Sequence, residues 1–134
     1  MRGFSVIGLG MLLGACASSQ EPPPPPQPII CTIGADCDAK WSRAASWIGT
    51  NSALKIRLRT PTTIQTSDPP ASSDSTPAFT VTKVARGDGR YEIAFNGGCA
   101  KASRCAPIIA ESRARFTLYV LGQEPPSQPA AKQN

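Results

Sequence analysis

The sequence predicts a small α+β domain: a helix, three antiparallel strands and a second helix (α-β-β-β-α), with both helices on one face of the sheet. Three observations carry that expectation. Cys37, Trp41, Ala44, Ala45 and Ile48 make an apolar stripe at helical spacing. The segment ALKIRLRT alternates apolar and basic residues, and further on two apolar runs flank Gly87-Asp88-Gly89. A second helical stripe, Ile109, Phe116 and Val120 with Ile108 and Tyr119 beside it, closes the pattern.

The first helix has Asp36 as its expected N-cap, with Asp36 and Asp38 suited to the positive end of the helix. Asp36 and Lys40 form a favourably ordered i,i+4 pair, and Gly49 is the expected stop. Trp41 lies on the buried stripe. Trp47 lies off it beside Lys40 and Arg43, which predicts partial exposure, where it closes the edge of the core or, as the rival reading, anchors a partner.

Residues 53–60 form the first predicted strand. Leu54, Ile56 and Leu58 face the core, and Lys55, Arg57 and Arg59 face outward. Pro61 interrupts the ladder, and residues 63–66 resume it after a bend. Residues 67–77 (SDPPASSDSTP) read as a loop. Residues 79–86 and 90–96 then form a hairpin, with Tyr91, Ile93 and Phe95 on its apolar face. The last helix is expected to begin near Pro107 and to stop at Gly122. FTLYV also suits a strand, but the longer apolar pattern has the helical period.

At 134 residues the chain has room for one domain. Its flanks narrow that domain to residues 29–122. Met1-Arg2 is a short basic start, and FSVIGLGMLL is an apolar run of ten residues, half of the roughly twenty that span a bilayer. It reads as the core of a signal peptide, residues 1–15. The run ends in Leu13-Gly14-Ala15-Cys16, which resembles the bacterial lipobox. That resemblance implies a diacylglycerol thioether on Cys16, cleavage before it, and acylation (palmitate in type) of the new amino group. Ala17 after the cysteine, in place of aspartate, points by resemblance to the outer membrane, with the domain in the periplasm. Several acyl chains at ~0.8 kcal/mol per buried methylene make such an anchor effectively permanent. An ordinary A-x-A cleavage at Ala15 and Ala17, releasing a soluble protein, is the rival reading.

Residues 16–28 carry the run EPPPPPQP, a stretch whose prolines favour extended polyproline II. At ~3.1 Å per residue it reaches roughly 35 Å from the bilayer. Residues 123–134 read as a disordered tail.

With Cys16 assigned to lipid, four of the five cysteines remain, an even number in an exported chain. Cys31 with Cys37 and Cys99 with Cys105 is the preferred pairing; the sequence leaves the crossed pairings open. A zinc site is disfavoured by C-x5-C spacing and the absence of histidine. The C-x5-C before a W-x5-W helix (Cys31, Cys37, Trp41, Trp47), the basic strand, and the second C-x5-C before Pro107 together resemble a family of small, functionally uncharacterised proteobacterial envelope lipoproteins. The likeness spans residues 31–121. It implies the architecture and the exported location and carries no catalytic residue.

The composition narrows the function. The net charge is +5, but charged residues are only 17% of the chain and scattered, and aromatics are 6%. A nucleic-acid surface needs a basic stripe interleaved with stacking residues. Without histidine the chain lacks the commonest general base and metal ligand, and no serine lies in G-x-S-x-G. Asp88 and Glu92 sit at a hairpin end rather than across a cleft. The expectation is therefore a non-catalytic accessory or interaction module, without cofactor or metal, whose partners are the membrane and an envelope protein. The rival binds an anionic polymer or lipid (lipopolysaccharide, anionic lipid or peptidoglycan) through Lys55, Arg57 and Arg59, residues that also read as an ordinary solvated strand face.

Overall fold

A computed structural model describes residues 27–123. The expected signal peptide, the lipobox-like run ending in Cys16, most of the proline stretch and the expected tail after Gln123 lie outside the described residues. The order of elements is β1 (Ile29–Thr32), α1 (Ala35–Asn51), β2 (Ile56–Arg59), β3 (Thr63–Thr66), β4 (Ala78–Gly87), β5 (Arg90–Gly98), a 3-10 turn (Ala102–Arg104) and α2 (Ile109–Leu121). The fold is mixed α+β, but the sheet has five antiparallel strands rather than the predicted three, in the order β1-β5-β4-β3-β2.

The two added strands have local causes. Strand β1 is four residues directly after Pro28, too short to display a period. It adds to the outer edge of β5 because Ile29 and Cys31 are buried there beside Ile93 and Tyr91. Strand β3 is the continuation after Pro61. Thr60 turns the chain: its N–H donates to the Thr63 carbonyl, and its Oγ1 accepts from the N–H groups of Thr62 and Thr63. Pro61 thus sits in a tight turn between two full strands.

The central hairpin forms as expected. Gly87 pairs with Arg90 across Asp88 and Gly89, whose φ values of 55° and 69° give the two positive dihedrals of a type I′ turn. The ladder slips by one residue between Ala85 and Gly87, a bulge that brings the strands into the turn.

Helix α1 begins after Gly34 (φ 100°), not at an Asp36 cap, and continues through Gly49 to Asn51. Asp36 lies inside the first turn. There its carboxylate accepts from the Thr32 N–H and pairs with Lys40, tying the end of β1 to the helix. Gly49 does not break the helix because Trp47 and Ile48, directly before it, are packed in the core and hold that turn. Helix α2 starts at Ile109 rather than at Pro107, which follows a cis bond from Ala106. Ile108 is consequently outside the helix and exposed. Gly122 ends α2 in the left-handed conformation (φ 73°), with its N–H and that of Gln123 closing on Tyr119 and Leu118 carbonyls.

Both helices cover one face of the sheet, and the core lies between. At its centre Trp47 is 4% exposed, which overturns its expected place at the edge. Its ring meets Phe79, Phe95 and Phe116 at centroid distances of 6.0, 5.9 and 5.5 Å, the last two edge-on. Thr66 is buried in the same layer because its Oγ1 accepts from the Phe79 N–H. Trp41 is buried too, and Lys83 lies over its ring at 5.2 Å and over Tyr91 at 5.7 Å.

Candidate functional site

The predicted basic ridge begins with β2, and here the ladder departs from simple alternation. Ile56 pairs with Thr66, but Leu58 pairs with Gln65 and Arg59 with Ile64, so Arg57 is an extra, bulged residue. Cross-strand partners project to the same face of a sheet. Ile56 therefore joins buried Thr66 on the helix-covered face, Leu58 joins Gln65 on the open face, and Arg59 joins the Ile64 side at the strand edge. Leu58, expected in the core, is 42% exposed for that reason. Lys55 stands before the strand, where its carbonyl accepts from the Ser67 N–H. Lys55, Arg57 and Arg59 are all exposed, but they do not share one face. Arg57 pairs at 3.9 Å with Asp68 from the following loop.

The other charged side chains serve mainly as clamps between segments. Asp74 lies between Lys101 at 3.0 Å and Arg104 at 3.5 Å, joining the long β3–β4 loop to the segment after β5. The backbone makes the same connection: the Ala106 N–H donates to the Ser75 carbonyl at 2.9 Å. Glu92 pairs with Arg86 across the hairpin, and Glu111 pairs with Arg115 along α2. Asp88 lies 3.9 Å from Arg90, so Asp88 and Glu92 each face a cation rather than one another. Asp36 is held below its usual carboxylate pKa, first by the Thr32 N–H and then by Lys40. Such an arrangement fixes loops; it does not bring two carboxylates to bear on one substrate.

The four cysteines of the described region are paired locally. Cys31 and Cys37 have an S–S distance of 2.01 Å with Cα atoms 4.9 Å apart, and Cys99 and Cys105 have their Cα atoms 5.6 Å apart. The first disulfide is buried and ties β1 to the first turn of α1. The second closes the loop carrying the 3-10 turn, beside the Asp74 clamp. Cys16 alone of the five cysteines has no place in these pairs.

Two concavities lie beside α2. One, about 50 Å³, sits among Trp47, Pro107 and Arg115 and has room for no more than a few waters. The other, about 270 Å³, opens between α2 and β5. Sequence reasoning had no signal for the second groove, which exists because β1 stops partway along β5. No family model matches the chain, and neither a curated protein nor a solved structure matches it.

Proposed function

We propose that this chain is a non-catalytic lipoprotein of the bacterial cell envelope, anchored through Cys16 and carrying its disulfide-bonded domain as an accessory or interaction module. The observation that carries the reading is the pairing of cysteines. Four of five thiols close two local disulfides, and the one left over stands at the end of Leu13-Gly14-Ala15-Cys16, directly after an apolar run. Disulfides persist in oxidising compartments outside the cytosol, and a lipobox accounts for the odd cysteine. Ala17 favours the outer membrane, with the proline stretch as a spacer on the periplasmic side.

Anionic-polymer binding through Lys55, Arg57 and Arg59 has less support, because the bulge divides these residues between faces and Arg57 already has Asp68. Detergent phase partition of the protein expressed in a bacterial envelope tests the main reading. Wild type enters the detergent phase, and Cys16→Ser leaves it or stays unprocessed. Wild type in the aqueous phase overturns the reading.

A further inference from the structure

Strand β1 covers only the first part of the outer edge of β5, Ile29–Thr32 against Arg90 to Ile93, whereas β5 continues to Gly98. The Ile33 N–H donates to the Gly89 carbonyl, which sets the phase of that ladder. In antiparallel pairing, backbone groups alternate between the two neighbours. Odd-numbered residues of β5 thus face β1, and even-numbered ones face β4. Beyond Ile93, Phe95 and Gly97 aim their N–H and C=O groups at an edge that β1 has left. None of these groups has a hydrogen-bond partner among the described residues.

The flanking sequence is poorly suited to extending β1 along this edge. Continuing the register sets Gln27 opposite Phe95 and Pro25 opposite Gly97, and proline has no N–H to give. Gln27 borders the groove without bonding to Phe95. The other flank, after Gln123, carries Pro125, Pro126 and Pro129 and is equally unsuited to a continuous ladder.

Helix α2 forms the wall. Arg113 and Thr117 line the groove of about 270 Å³ with Phe95 and Asn96. Arg115 is engaged by Glu111 and Arg86 by Glu92, but the Arg113 guanidinium has no ion-pair or hydrogen-bond partner among the described residues. A guest residue paired with Phe95 projects to the same face as Phe95, toward α2. A carboxylate at that position would enter the groove that Arg113 lines, where a charge-assisted hydrogen bond to its guanidinium is the favourable pairing.

We infer that the open half-edge of β5 at Phe95 and Gly97, with Arg113 above it, is a docking groove for an extended acidic peptide segment of another protein, bound by strand addition. Main-chain bonds to Phe95 and Gly97 hold the segment, and the carboxylate sets its register. This goes beyond the anchoring reading and does not depend on the lipid.

The probe is the blocked pentapeptide Thr-Val-Glu-Val-Thr, titrated against the isotope-labelled full chain in detergent micelles and followed by amide resonances. Two control peptides replace the central Glu with Lys or with Pro. The Glu peptide is expected to shift the Phe95 and Gly97 amides at least about tenfold more tightly than either control. In Arg113→Glu the preference reverses toward the Lys peptide, a gain that simple misfolding cannot produce. Equal binding of the Glu and Lys peptides overturns the inference, as do shifts confined to the β2 edge or no shift at millimolar peptide. Slow hydrogen exchange at Phe95 and Gly97 in the protein alone also overturns it, since a flank or a second copy would then occupy the edge.

Discussion

Replacing Trp47 with alanine tests whether the core is organised as described. Trp47 is 4% exposed and touches three other aromatic rings, so the substitution removes the centre of the cluster. Truncation of a buried Phe or Trp to Ala costs ~3–5 kcal/mol. The three rings come from β4, β5 and α2, so little can collapse into the gap without moving two layers, and the upper half of that range is expected. For a domain near 100 residues, each kcal/mol lowers Tm by ~4–8 °C, which makes the expected fall roughly 15–40 °C. Trp47→Phe keeps a ring in the cluster and should lose less than half as much. The assay is reversible urea and thermal unfolding with the disulfides intact, read by circular dichroism. In a Trp41→Phe background, tryptophan emission reports Trp47 alone and should be blue-shifted and resistant to acrylamide. A Trp47→Ala loss below about 1 kcal/mol, or a readily quenched Trp47, returns this residue to the surface and refutes the packing argument.

Four further outcomes follow from particular contacts. Replacing Cys31 and Cys37 together with alanine should cost more than replacing Cys99 and Cys105: equal loop lengths give about 2 kcal/mol each in the chain-entropy account, and only the first pair also empties core volume; equal urea midpoints would contradict this. Gly97→Ala should destabilise by about 1–3 kcal/mol, because its Cβ would lie 3.0 Å from Ile109 and from Phe79, whereas Gly98→Ala meets nothing within 4 Å and should leave the urea midpoint nearly unchanged. Asp36, whose pKa is lowered in the folded state, contributes stability above its ordinary value of 3.8 that is lost as pH falls through the lower folded value; Asp36→Asn should flatten that acid limb in pH-dependent urea titrations, and an unchanged limb would remove the role of the Thr32 contact. Arg59→Asp should leave stability within about 0.5 kcal/mol in urea unfolding, since the side chain is exposed at the sheet edge, and a larger loss would contradict that exposure.

The parts of the fold legible in the sequence are those whose signal is local and repeated. The stripe through Trp41 and Ile48, the alternation of β5 and the Asp88-Gly89 turn each repeat a period or demand a particular backbone. Strand β1 was not legible: four residues after Pro28 show no period, and their reason for being a strand is the distant edge of β5. Arg57 is a different case. The alternation of ALKIRLRT is real, but one bulged residue exchanges the faces of everything after it, and nothing in the residue types marks the slip. Trp47 misled because the stripe was drawn too narrow for a helix wedged between a sheet and a second helix, which buries a wider arc. The likeness of Leu13-Gly14-Ala15-Cys16 to a lipobox is a sequence signal alone. The half-edge of β5 is the reverse case: no residue type marks it, because it follows only from the short register of β1 against a longer β5.

The most direct test of the anchoring claim is the intact mass of the mature protein extracted from bacterial membranes, followed by peptide mapping without reduction. The expected product is a polypeptide starting at Cys16 with acyl groups on that residue and the bridges Cys31–Cys37 and Cys99–Cys105. A polypeptide with Cys16 unmodified, or bridged to any other cysteine, would contradict it.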